Sequence, residues 1–128
     1  LLDFRKGDIY TKGVSVSIKT FYENIPEYVV LVLNLQEILA EKIRAIITRY
    51  KARDIYDLNE LLLQNVSINW DLVNKKLKSY NLSFDKKIFE VKLEEKRSIY
   101  NKEMAKLTKS YETFDLCKNR ILKEISKN

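Results

Sequence analysis

The hydrophobic positions change period once along this chain. Val14, Val16 and Ile18 alternate with Ser15, Ser17 and Lys19, the period of two that predicts a half-buried strand. Gly7-Asp8 and Lys12-Gly13 bracket a short segment suited to pair with it as a hairpin. Beyond Pro26, the run from Tyr28 to Leu33 is rich in β-branched residues and predicts a second, buried strand. From Asn34 the spacing becomes helical. Asn34 and Glu37 form a capping-box pair, and Ile38, Leu39, Ala40, Ile43, Ile46 and Ile47 then recur on one face as far as Tyr50. The same period predicts further helices over residues 53–64, 70–80, 84–109 (capped by Ser83) and 111–125.

The predicted fold class is therefore α+β: a few N-terminal strands followed by a mostly helical bundle. A sheet that small needs something to pack on. Three stretches follow: residues 1–33 as short strands, 34–66 as two charged helices, and 67–128 as a basic helical bundle. A length of 128 residues suits one domain with its own core. Only two Gly and one Pro occur, which favours helices over a many-stranded fold.

The residue types that are scarce exclude whole chemistries. There is no histidine, which removes Ser-His-Asp and Cys-His catalysis and the commonest zinc ligand. Cys117 is the single cysteine and has no internal bridge partner, so a reducing, cytoplasmic setting is expected. It shares helical spacing with Phe114, Ile121 and Ile125 and reads as a buried structural thiol. The apolar run Val29 to Leu33 is far too short to span a bilayer, no stretch reads as a secretory signal, and no membrane partner is expected. The chain starts with Leu rather than Met, which reads as a fragment of a longer protein.

Net charge is +6 and unevenly placed. Residues 1–70 hold nine Lys/Arg and nine Asp/Glu, whereas residues 71–128 hold fifteen against nine. The excess predicts a polyanion-facing surface, densest at Lys75, Lys76, Lys78, Lys86 and Lys87, the candidate RNA-binding residues. Tyr100 and Tyr111, lying among further Lys and Arg, are the aromatic candidates for RNA contact. The plainer reading is a solvated, codon-biased face.

One stretch concentrates chemistry. Lys42, Ala45 and Arg49 fall at i, i+3 and i+7 and line one stripe, two cations flanking a small residue that an anionic group can approach closely. Asp54 and Asp57, at i and i+3, share a face of the next helix. Cations and carboxylates around one cleft suit phosphoryl or nucleotidyl transfer: cations for a triphosphate, carboxylates for a metal or for orienting partners. Spacing alone favours a solvated face or inter-helix salt bridges, for instance Arg53 with Asp57.

Residues 33–62, Leu-Asn-Leu-Gln-Glu-Ile-Leu-Ala-Glu-Lys-Ile-Arg-Ala-Ile-Ile-Thr-Arg-Tyr-Lys-Ala-Arg-Asp-Ile-Tyr-Asp-Leu-Asn-Glu-Leu-Leu, resemble the third and fourth motifs of the AbiEii family of nucleotidyltransferase-like toxins. There a Lys helix runs into an Arg-Asp-x-x-Asp helix. The resemblance implies a polymerase-β-like core with an appended helical bundle, acting in toxin–antitoxin systems or phage defence by transferring nucleotides from an NTP to an RNA such as tRNA. It implies that Lys42 contacts triphosphate and that Asp57 or Asp54 is the fourth-motif carboxylate. It further implies that Arg49 and Arg53 support the phosphate site or orient the carboxylates.

The departures from the family pattern are specific. No Gly-Ser pair and no Asp-x-Asp pair occurs, and Ser15 and Ser17 stand on the strand where many members carry an acidic residue. Magnesium and NTP are thus expected only for a complete enzyme, with no metal ligands in this chain. The expected partners are RNA and a cognate antitoxin. The rival reading is a non-catalytic helical module that binds RNA, an antitoxin or another protein, and the sequence leaves the oligomeric state open.

Overall fold

The computed structural model describes residues 25–127, and every regular element among them is a helix. α1 spans Ile25–Thr48, α2 Arg53–Leu63, α3 Trp70–Lys78, α4 Lys86–Glu94, α5 Arg97–Leu107 and α6 Phe114–Ser126. The strand expected over residues 14–18 and its hairpin partner lie outside the described residues.

The expected α+β class is overturned, because the run from Tyr28 to Leu33 is the N-terminal part of α1 and the described residues contain no strand. Burial shows why. A strand would place Val29, Leu31 and Leu33 on one face, yet Leu31 is buried while Val29 and Leu33 are exposed. Leu31, Leu35 and Leu39 recur every four residues, so the helical stripe of residues 38–47 extends back through the β-branched run and overrides its strand preference. Pro26 is the second residue of the helix, where its missing N–H leaves no intrahelical bond unmade. The capping box is corrected for the same reason: Asn34 is buried inside α1, which runs unbroken across it.

The expected long helix over residues 84–109 is two helices. No Gly or Pro marks the break; Lys96 makes it. Its ammonium, almost fully buried, donates to the Lys92 carbonyl (2.9 Å) and to the Ile46 carbonyl of α1 (2.7 Å). α2 and α3 end on Asn65 and Asn81, both with positive φ. Each is followed by a six-to-one bond, Val66 N–H to the Leu61 carbonyl and Leu82 N–H to the Leu77 carbonyl. In a chain so poor in Gly, Asn is the residue that best tolerates this left-handed helix stop.

Side chains cap three helix starts: Asn69 for α3, Asp85 for α4 and Thr113 for α6. Asp85 Oδ1 accepts from both the Lys87 and Ile88 amides, at 2.8 and 3.1 Å. Replacing Asp85 by Ala is expected to cost about 1 kcal/mol in a urea-unfolding experiment. An unchanged midpoint and slope would show that the cap contributes nothing.

α1 packs against α2, α3 and α4, and α2 in turn packs against α6. The core they share includes Leu39, Ile43 and Ile46 of α1, Ile55, Leu58 and Leu61 of α2, and Phe89 and Leu93 of α4. Trp70, Phe84 and Phe89 form an aromatic ladder at one end, with ring centroids 4.7 and 5.6 Å apart. No helix among the described residues is long and apolar enough to cross a membrane.

Candidate functional site

The site lies where α1 turns into α2. α2 buries its face through Asp54, Asp57, Leu58 and Leu61, so both carboxylates point inward with the leucines rather than outward to water. α1 packs on that face and carries Lys42 next to Ile43 and one turn before Ile46. The result brings together all five residues singled out in the sequence. Lys42 Nζ is 3.0 Å from Asp57 Oδ2 and 3.7 Å from Asp54 Oδ1. Arg49, just beyond the end of α1, grips Asp54 with two parallel bonds of 2.8 Å from Nε and Nη2, the strong bidentate geometry. Arg53 Nε lies 3.5 Å from Asp57 Oδ2.

Electrostatically the two sides differ. Asp54 and Asp57 are 0% and 1% exposed, Lys42 is 20% exposed, and the two arginines are about half exposed. Three cations face two carboxylates, so the cluster carries a net positive charge and presents it outward. Its hydrogen bonds to Asp54 raise Arg49 above its ordinary value, against the lowering effect of burial. Ala45, expected as a gap for an approaching anion, is instead buried.

Residues that spacing did not single out hold this corner together. Glu103 of α5 accepts the Ala52 amide at 2.8 Å, fixing the turn between α1 and α2 where no side chain caps α2. Lys96 grips the last turn of α1 from beneath. Burial pushes its ammonium below the usual lysine value, while the charges of Glu95 and Asp54 oppose that shift. In sequence, Lys96 is one lysine among many, and only its place in the fold distinguishes it. Beside the turn opens a cleft of about 460 Å³ lined by Arg49, Lys51, Arg53, Glu103, Lys106 and Leu107.

The basic residues of α3 and α4 are placed unevenly. Lys75, Lys78 and Lys87 are exposed. Lys76 is engaged by Glu37 (3.4 Å) and Glu41 (3.1 Å) of α1, and Lys86 donates to Ser126 Oγ at 2.7 Å. Of the two tyrosines expected at an RNA surface, Tyr100 is corrected, while Tyr111 is half-buried. Tyr100 is fully buried, its hydroxyl donating to the Glu112 carbonyl at 2.7 Å. Tyr111 packs edge-on against it with centroids 5.9 Å apart. Cys117 is buried as well, and burial pushes its thiol up.

The carboxylates do not fit a magnesium site. Hard divalent cations need oxygen donors free to approach them, whereas Asp54 and Asp57 are buried and already held by Lys42, Arg49 and Arg53. Among the described residues no group of three or more His, Cys, Asp or Glu is arranged to hold a metal.

In class, the described residues form a helical bundle whose buried carboxylates hold a row of cations at the rim of an electropositive cleft. The family model for the nucleotidyl transferase AbiEii toxin of type IV toxin–antitoxin systems matches residues 1–120, and the chain belongs to that family. Membership makes it a nucleotidyltransferase-type member of a toxin–antitoxin system and implies a cognate antitoxin. No curated protein and no solved structure matches the chain.

Proposed function

We propose that this chain is the C-terminal portion of a nucleotidyltransferase toxin, supplying the cationic contact for the triphosphate of an NTP, with an RNA such as tRNA as acceptor. Lys42 is the residue that meets the triphosphate. Asp54 and Asp57 are positioning residues: they hold Lys42, Arg49 and Arg53 rather than bind metal. The exposed lysines of α3 and α4, Lys75, Lys78 and Lys87, form an RNA-facing surface.

The observation that carries this reading is the double pairing of Lys42 with two buried carboxylates. An ammonium has three N–H donors. The ammonium lies 3.0 Å from Asp57 and 3.7 Å from Asp54 while the side chain keeps a fifth of its surface in solvent, so an anion can still reach it. That is a preorganised cation, fixed before the ligand arrives.

Calorimetric titration of the chain with ATP tests it. Lys42→Gln is expected to weaken binding at least about tenfold, the effect of losing roughly one charge-assisted contact. A variant that retains its helical circular dichroism and binds ATP as the intact chain does sinks the assignment.

A further inference from the structure

We propose that the cleft beside the α1–α2 turn receives the phosphodiester backbone of an RNA strand, with Lys51 and Lys106 as its working cations. The inference rests on the reading of the chain as RNA-facing, but places a contact where neither the charge pattern nor the motif spacing put one.

The cleft has four cations and one carboxylate on its walls. The cations divide into two kinds. Arg49 is committed to Asp54 and Arg53 to Asp57, which fixes both guanidinium groups at the rim with part of each still facing solvent. Lys51 and Lys106 make no ion pair among the described residues. Lys51 comes from the turn and Lys106 from the last turn of α5, so the two reach the cleft from different elements. Leu107 is the single apolar wall residue, and no aromatic side chain lines the space. A nucleobase would find nothing to stack on there. A chain of phosphates needs only cations at suitable separations.

Glu103 works against the phosphate and so gives the proposal a test of opposite sign. Its carboxylate sits in the cleft, received by the Ala52 amide, so the cleft already holds one fixed anion. That charge opposes an incoming phosphate. Neutralising it as Glu103→Gln keeps an acceptor oxygen for Ala52 while removing the repulsion.

The test is fluorescence anisotropy of a labelled single-stranded RNA octamer of mixed sequence, titrated with the whole chain over a range of salt. Lys51→Ala/Lys106→Ala is expected to weaken binding about tenfold or more at ~50 mM salt. The slope of log affinity against log salt should fall by about 1.4, at ~0.7 per lost phosphate contact. Glu103→Gln is expected to tighten binding about threefold, a gain that partial unfolding cannot imitate. Unchanged RNA affinity and slope in a folded double variant overturns the proposal, and so does a loss confined to inorganic triphosphate, which would assign the cleft to the nucleotide's own phosphates. Should the double variant unfold, Glu103→Gln decides, and equal or weaker binding overturns it. A parallel Lys75→Gln/Lys78→Gln/Lys87→Gln variant separates the failures. RNA binding lost there but untouched at the cleft removes this site alone, whereas no binding by the intact chain removes the RNA-facing reading with it.

Discussion

Lys42→Met is expected to destabilise the folded chain by about 3 kcal/mol, a large share of the stability of a domain this size. The substitution leaves Asp54 and Asp57, essentially without solvent exposure, short of their shared cation. Water cannot reach either carboxylate to compensate. Arg49 keeps its bidentate hold on Asp54, whereas the contact of Arg53 with Asp57 is longer, at 3.5 Å. Asp57 therefore suffers more. A double-mutant cycle makes the claim sharp: Asp57→Asn in the Lys42→Met background should restore roughly half of the loss, because it removes the stranded charge while preserving shape. Urea midpoints for the four proteins decide the matter. Additive effects of the two substitutions would mean that the ion pair contributes little and that Lys42 is held by packing alone. The cycle also bears on function, since a cation that is costly to remove is rigid, and rigidity is what a phosphate contact requires.

What the sequence made legible follows from how local each signal is. The i, i+3 spacing placed Asp54 and Asp57 on one face of α2, and Lys42 falls on α1 with Arg49 just past its end, because helical geometry is local. Their convergence needed only that two successive helices pack through a short turn. The strand reading of Tyr28–Leu33 failed because β-branched residues report on a half-buried pleated surface and not on the backbone itself. Leu31, Leu35 and Leu39 carried the contrary, helical signal across the boundary drawn at Asn34. The break at Lys96 was invisible because it depends on an acceptor in another helix, the Ile46 carbonyl. Tyr100 looked exposed among charged neighbours, yet its own helix turns it onto Phe114 and Tyr111. Glu103, Lys51 and Lys106 meet only in space, and no spacing rule relates residues on α5 to the α1–α2 turn.

The 128-residue chain, purified and incubated with radiolabelled NTPs, magnesium and tRNA, is expected to leave the RNA unlabelled. Nucleotidyl transfer needs carboxylates that hold magnesium, both to activate the attacking hydroxyl and to neutralise the departing pyrophosphate. The sequence contains no Asp-x-Asp pair and no Gly-Ser pair. The two clustered aspartates cannot substitute for them. Asp54 and Asp57 face three cations, and a divalent metal placed between them would have to displace Lys42 and Arg49 and enter a site already net positive. Electrostatic repulsion and the loss of the bidentate bond both oppose it. The cations alone bind and orient phosphate without supplying the chemistry. Binding and transfer should therefore separate: ATP and RNA associate with the chain, while no label moves between them. Magnesium-dependent labelling that disappears in Lys42→Ala would show that these carboxylates do accept a metal and that the division between positioning and catalysis drawn here is wrong.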